Sequence, residues 1–569
     1  MASEDLIALV MGSRTGSMAR RVAESTVKSL SDSERRALVT CPAATRRNAW
    51  LITSPHVSRL RRDPYFVHAF EDDDLAAGRD SLELRDWFAS SFKCAQVPVG
   101  QDPAFPRAAF AAWRVFQDRK NANKVYVPKS VVDSALAAWG FAAGSADGAL
   151  VASPSNANLV THLEYSKMQR TIRAFLKGAR TLQPRVAREL DLSSLDATQA
   201  EYARGIAAAP FSCLNGRAGT GKTRLVSAIV SALTSKKLPV ICLAPTHRAK
   251  KNLANRLPEN VALSTVDAFI KSSQSSDKKS AAAPSARFIF VDEASMICLV
   301  KLARLARAAM ESSSWQVCMV GDDGQLEPIG RGEMFRTALS RGSMSRFTLE
   351  KCYRAESLDL FDAQSTVRSG AVPGSTASFD VALHDTDRQV EKHVEEMIRA
   401  GDADTQFIAW TNKTCDFINR LMQGRVQGNL TKAGTGQPLP KDRVVYMGRN
   451  DVKKGLTNAM VGVVQKPAGQ NGIAVEWEGS GTIECATRDV ALAYCLTVHK
   501  AQGSEFERVC VVATSVAAMM RSLDRRWLYT AVSRAKRRCL LVGTADLRDF
   551  VSAPIRKKEP VGVSFALTD

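Results

Sequence analysis

Long hydrophobic runs are missing from this chain of 569 residues. No apolar stretch approaches the ~20 residues that a helix needs to cross a bilayer, and the start, MASEDLIALVMGSR, carries acids where a secretory signal carries bases. Both absences point to a soluble, unexported protein with no membrane partner, cytoplasmic, or in the host nucleus if it comes from a eukaryotic virus. Paired cysteine spacing is missing too. The 12 cysteines stand singly, several inside apolar runs such as VICLAP and RVCVVAT, and no C-x-x-C marks a zinc or redox site, so they read as reduced core residues. No repeat of solenoid period is present. Acids are scarce relative to bases, 58 against 78, and the resulting net charge of +20 points to a polyanionic partner, with a merely soluble basic surface as the rival reading.

What is present begins with length, which exceeds one hydrophobic core and implies roughly three or four domains. The stretch NGRAGTGKTRLV, Asn215 to Val226, then gives the first chemistry. Gly216, Gly219, Thr220, Gly221, Lys222 and Thr223 have the spacing of a phosphate-binding loop: backbone N–H groups wrap the phosphates, Lys222 reaches the β and γ groups and Thr223 touches magnesium. The preceding APFSCLNG has the content of a buried strand, and KTRLVSAIVSAL has apolar residues at helical spacing. A nucleotide with Mg2+ is the expected ligand.

Two further strands end in acids. RFIFVDEASMI closes on Asp292, suited to hold the metal with Thr223, and Glu293, suited to orient or deprotonate an attacking water. WQVCMVGDDGQLEPIG closes on Asp322, Asp323 and Gln325; Gln325 suits γ-phosphate sensing, with the aspartates linking that sensing to the magnesium site. Elsewhere, SKMQRTIRAFLKGARTL (Ser166–Leu182) predicts a basic amphipathic helix. KSSQSSDKKSAAAPSA (Lys271–Ala286) reads as a flexible loop, and EDDD (Glu71–Asp74) as a solvated one.

The order GRAGTGKT, LAPTHRAK, STVDAF, VDEASM, GDDGQLEPI, LEKCYR, WTNK, LTVHKAQGSEF, LYTAVSRAK resembles superfamily 1 helicases of the RecD-like branch, from about Leu190 to Gly543. The resemblance implies an α/β chain with two tandem RecA-like P-loop domains facing one ATP, and single-stranded nucleic acid lying across both. By motif, Gln199 matches the glutamine that reads adenine. Arg354 and Arg534 match two arginines that reach the γ-phosphate from the second domain, and Gly503 and Glu505 match positions near the ribose and γ-phosphate. Strand contacts carry over to Thr246, His247, Ser264, Thr265, Trp410, Asn412, Thr497, His499 and Lys500. Trp410 or His499 suits stacking on bases, a core position being the rival for Trp410.

The resemblance places a first RecA-like domain at 190–347, the second at 348–440 and 490–569, and an SH3-like insertion at 441–489, where short β-type runs alternate with Gly and Asn turns. Two positions depart from the family: Asn458-Ala459 where an Asn-Gly pair is usual, and Glu327 where proline is usual. Residues 1–189 match nothing in the family. Their aromatics imply a folded accessory domain for nucleic acid or for replication or recombination proteins. His56, His68 and His162 lack the metal-ligand spacing that a nuclease would want. The expected activity is ATP-dependent DNA unwinding, 5′ to 3′, on single strands and single-strand/duplex junctions. An RNA helicase of viral replication, or an ATPase switch that does not travel, are the alternatives.

Overall fold

The computed structural model describes residues 115–555 apart from short internal stretches, chiefly 117–124, 139–143, 179–186, 275–287, 311–314, 341–343, 354–357 and 429–433. The EDDD run, His56, His68 and Arg354 lie outside the described residues. The chain divides into two compact units, Met1–Lys167 and Met168–Asp569. In the first, β1 (Val127–Pro128), β2 (Leu150–Ser153) and β3 (Asn156–His162) form an antiparallel sheet in the order β1-β3-β2. Helix α1 (Leu163–Gly178) is the basic amphipathic helix that the periodicity predicts, begun three residues earlier. It buries Ile172, Phe175 and Leu176, and Phe175 stacks on Trp315 with ring centroids 5.3 Å apart.

The second unit holds two parallel sheets. In the first sheet β4 (Phe211–Gly216), β5 (Val240–Ala244), β6 (Ala262–Thr265), β7 (Phe288–Val291), β8 (Gln316–Gly321) and β9 (Ser345–Leu349) run in the order β6-β5-β7-β8-β4-β9. Every residue of β4, β5, β7 and β8 is buried, as a parallel sheet covered on both faces requires. Helix α2 (Ala197–Ala208) is capped by Asp196, whose carboxylate accepts the Gln199 N–H at 2.9 Å. Helix α3 (Lys222–Ser235) buries Leu225, Val226, Ile229, Val230 and Leu233 at helical spacing. Helices α4 (His247–Ala254) and α5 (Val266–Gln274) follow β5 and β6. Lys271–Gln274, expected in a loop, are the last turn of α5; most of that expected loop lies outside the described residues.

After α6 (Leu358–Ser369) the second sheet starts with β10 (Phe379–His384) and β11 (Gln406–Ala409), followed by α7 (Asn412–Val426). The chain then leaves for an antiparallel sheet of β12 (Arg443–Tyr446), β13 (Val461–Ala468), β14 (Gly472–Trp477), β15 (Gly481–Ala486) and β16 (Val490–Leu492), in the order β15-β14-β13-β12-β16. Its core is marked by Trp477, edge-on to Tyr446 at 5.8 Å. The chain returns as β17 (Cys495–Thr497), β18 (Phe506–Ala513), α8 (Arg525–Val532) and β19 (Ala535–Thr544). The second parallel sheet reads β10-β19-β18-β11-β17. Most of the described cysteines are buried, in keeping with core residues. Among the described residues no helix is long and apolar enough to cross a membrane.

Candidate nucleotide cleft and strand interface

The glycine loop leaves the end of β4, and the two acidic turns leave the ends of β7 and β8, so all three open at the same edge of one sheet. Gly219 and Gly221 adopt φ of 84° and 86°, which side chains resist. A Cβ on Gly216 would meet Thr220 Oγ1 at 2.5 Å. The loop therefore turns its backbone inward at the start of α3, where peptide N–H groups favour an anion. Lys222 Nζ donates to the carbonyls of Gly216 (2.5 Å) and Arg217 (2.9 Å), neutral acceptors for a cation. Thr223 Oγ1 accepts from Arg256 Nη1 at 3.4 Å.

Asp292 stands at the end of β7. Burial and the adjoining charge of Glu293 push its carboxyl up to about 6, against the pull of Lys222 and Arg256. Glu293 sits in the left-handed region at φ 47°, a local strain of the kind that functional positions retain. Gln325 is buried in the turn after β8, its N–H bonded to the Asp322 carbonyl at 3.2 Å. Beside it, Asp322 and Asp323 are taken up by Arg368 of α6, at 3.0 and 2.5 Å, and Asp322 also by the Tyr529 hydroxyl of α8 at 2.8 Å.

Arg217, Gly219, Gly221, Lys222, Thr223, Asp292, Glu293 and Gln325 from the first sheet, and Gly503, Glu505 and Arg534 from the second, line one cleft of about 1090 Å3. Arg534 is buried and held by the carbonyls of Thr530 (2.9 Å) and Ser504 (3.3 Å). Gly503, at φ 73°, lets the second sheet approach α4; a Cβ there would stand 3.2 Å from that of Ala249. Gln199 is buried beside the loop with neither end of its amide hydrogen-bonded, and a Cβ on Gly221 would meet it at 3.1 Å. An orphaned amide, a cation facing only carbonyls and an inward-turned glycine loop together fit an adenine nucleotide. Tyr353, the neighbour of Arg354, donates its N–H to the Gly219 carbonyl at 3.1 Å, and its hydroxyl bonds Asp196.

The strand residues gather at the same carboxyl edges without lining the nucleotide cleft. Thr246 and Thr265 accept the N–H groups of Ala249 (3.1 Å) and Ala268 (3.2 Å), and the Ser264 hydroxyl donates to the Thr265 carbonyl. His247 Nε2 is 3.1 Å from Asn450 Nδ2 of the antiparallel insertion. Trp410 is half-buried against the second core and donates Nε1–H to the Thr514 carbonyl at 2.7 Å. Asn412 opens α7, which Thr411 caps. Thr497 ends β17 and precedes the four-residue helix Val498–Ala501 that carries His499 and Lys500. Burial holds the imidazoles of His247 and His499 below their ordinary pKa, so both are neutral at pH 7.

Sequence reasoning missed the groups that tie the two sheets. Asn252 Nδ2 donates to the Gly503 carbonyl at 2.6 Å, and Arg256 Nη2 pairs with Glu505 at 3.3 Å. Arg526, nearly fully buried, meets Asp524 (2.7 Å), Glu333 (2.9 Å) and Glu327 (3.5 Å). Glu327, the departure from the family, thus faces a buried arginine. The only sequence signal for Tyr529 was its place inside LYTAVSRAK.

A glycine loop between a buried parallel strand and a helix, with a second parallel sheet beside it, defines a P-loop protein of the α/β class. The AAA domain family model matches residues 194–406, and that of the UvrD-like helicase C-terminal domain residues 492–542. The chain is 28% identical over 360 residues to the ATP-dependent RecD2 DNA helicase of Deinococcus radiodurans, covering 60% of this chain and 48% of that protein. It is 28% identical over 401 residues to the RecBCD enzyme subunit RecD of Mycobacterium tuberculosis, covering 58% of this chain and 66% of that one. The chain spans between about half and two thirds of the length of these curated relatives. Among solved structures, the Pif1 helicase from Candida albicans is similar at 18% identity and a TM-score of 0.42, covering 64% of this chain and 97% of that one. These matches make the chain similar to RecD-like superfamily 1 helicases.

Proposed function

We propose that this chain is an ATP-dependent DNA helicase that moves 5′ to 3′ along single-stranded DNA and unwinds duplex at junctions. The observation that carries this reading is that Lys222 of the first sheet and Arg534 of the second line one cleft with Asp292, Glu293 and Gln325. ATP is the substrate. Lys222 and the loop N–H groups bind its phosphates, and Gln199 receives its base. Glu293 orients the attacking water and accepts its proton, while Gln325 senses the γ-phosphate. Arg354 and Arg534 bring positive charge from the second domain as negative charge builds on the transferring group. A magnesium ion held by Thr223 and Asp292 would neutralise phosphate charge.

Because the cleft walls belong to two domains, hydrolysis depends on closure, and opening afterwards steps one domain past the other. The edges bearing Thr246, His247, Ser264, Thr265, Trp410, Asn412, Thr497, His499 and Lys500 then serve as the two grips on the strand. Hydroxyls and helix N-termini suit phosphates of any sequence, and stacking on a ring tolerates any base. The antiparallel insertion corresponds to the family's SH3-like barrel, and residues 1–189 are assigned an accessory role toward nucleic acid or toward replication or recombination proteins. The RecD2 and RecD relatives support DNA over RNA. The test is ATP hydrolysis with and without single-stranded oligonucleotide, followed by strand displacement on DNA and RNA duplexes with 5′ or 3′ tails. Turnover that ignores the oligonucleotide would sink the motor and leave a switch; unwinding of RNA alone, or from 3′ tails alone, would overturn substrate or polarity.

A further inference from the structure

We propose that Arg368 is a positioning residue for hydrolysis: together with Tyr529 it clasps the Asp322–Asp323 turn, and so sets Gln325 and the arginine-bearing elements of the second sheet against the phosphate loop. The inference rests on the cleft being an ATP hydrolysis site. Neither Arg368 nor Tyr529 lines that cleft, so both act through other groups.

The clasp is continuous. Asn215, the residue before Gly216, donates Nδ2–H to Asp323 at 3.0 Å and accepts the Asp323 N–H at 3.1 Å. Arg368 spans both aspartates, Nη1 to Asp322 Oδ1 at 3.0 Å and Nη2 to Asp323 Oδ1 at 2.5 Å. The other oxygen of Asp322 accepts the Tyr529 hydroxyl at 2.8 Å, and Oδ1 also accepts the Gly324 N–H at 2.9 Å. Asp322 has no exposed surface, so its donors Arg368 Nη1, the Tyr529 hydroxyl and the Gly324 N–H answer a carboxylate that water cannot reach. From Tyr529 the path enters α8, which leads to Arg534, and Thr530 of the same helix accepts the Leu326 N–H at 2.8 Å, immediately after Gln325.

A second grip joins the same partners. Arg217 of the phosphate loop donates to Ser365 and lies 4.9 Å over the Phe361 ring, both on α6, which begins four residues beyond Arg354. The turn is shaped for this approach. A Cβ on Gly324 would stand 2.9 Å from Tyr529 Cε1 and 3.0 Å from Arg368 Nη1, so only glycine admits the two side chains. A guanidinium shared by two carboxylates in fixed fork geometry selects one arrangement of the turn, which a single-point contact would not. Misplacement of a reacting group by about 1 Å from a remote change costs about 100-fold in rate.

The test uses the full chain and the variants Arg368→Ala, Arg368→Lys and Tyr529→Phe. Each is measured for thermal unfolding, for fluorescent ATP-analogue affinity, for KM and kcat with saturating oligo(dT), and for amide exchange at Gly324 and Leu326. Expected are nucleotide affinity and KM within about 2-fold of wild type, kcat down about 100-fold for Arg368→Ala and less for Tyr529→Phe, partial recovery with Lys, and faster exchange at both amides. A folded Arg368→Ala with wild-type kcat overturns the proposal. So does a loss of kcat that tracks only the fraction unfolded, or a loss confined to KM. A wild-type chain that turns over no ATP would sink the functional reading itself, and is told apart by that control.

Discussion

Lys222 and Arg534, which belong to different sheets and opposite ends of the motif series, face one cleft. On the proposed function, a cation brought by each wall makes turnover conditional on both. Lys222→Ala is expected to abolish hydrolysis with thermal unfolding unchanged. Arg534→Ala lowers kcat by about 10³-fold or more while fluorescent nucleotide still binds. Steady turnover by the lysine variant would refute the site.

Gln199 has a buried amide with both ends open beside the loop. Gln199→Ala is expected to raise KM for ATP about 10-fold or more while leaving that for GTP within about 2-fold, since a site built to pair with one base discriminates through its buried polar groups. Equal losses for both nucleotides would mean that the amide does not read the base.

Asp323 offers a pH test of the clasp. Its burial raises its carboxyl pKa, but the charge of Arg368 and the hydrogen bonds from Asn215 and Arg368 outweigh that and hold it below its ordinary 3.8. A depressed folded pKa contributes stability that is whole above the ordinary value and is lost as pH falls through the folded one. Asp323→Asn should therefore be less stable than wild type at pH 6, with the gap closing as pH falls below about 4. Urea unfolding from pH 6 to 3 reads this directly; parallel curves would exclude the linkage.

Ala459 stands at φ 67°, where the family's glycine would be unstrained. Relief of that strain is offset by a freer unfolded chain and a lost methyl contact, so Ala459→Gly changes stability by no more than about 0.5 kcal/mol. Ala459→Val puts a β-branched side chain into the left-handed region and costs about 1–3 kcal/mol. The stability order Gly at least equal to Ala, with Val far below, is checked by denaturant titration. A neutral valine variant would mean that the turn is not left-handed.

Arg526 answers three carboxylates from both sides of the domain seam while only 4% of its side chain is exposed. Arg526→Met takes this cation from three part-buried acids, of which Glu333 keeps Arg336, and is expected to cost about 3 kcal/mol in a denaturant titration. Adding Glu327→Gln to that variant should recover part of the loss. Absence of recovery would show that Glu327 is not part of the cluster's energetics.

Much of the first sheet was legible because its signals are local. The run FSCLNG ahead of the glycines, the apolar spacing of Leu225, Val226 and Ile229, and the acids closing β7 and β8 each sit within a few residues of what they predict. Lys271–Gln274 were misread because low complexity masks a helix whose stability comes from Phe269 and Ile270 packing inward. Asp322 and Asp323 were legible as acids at a strand end, but their partners were not, since Arg368 and Tyr529 lie far along the chain and have no spacing rule to announce them.

Local backbone geometry and hydrophobic period, both written in contiguous residues, determined the strands, the phosphate loop and the parallel α/β character. That Asp322 and Asp323 answer Arg368 was decided only when the two sheets met. Burial removes water as an alternative partner, and a buried charge takes whichever opposite charge the packed fold brings within reach.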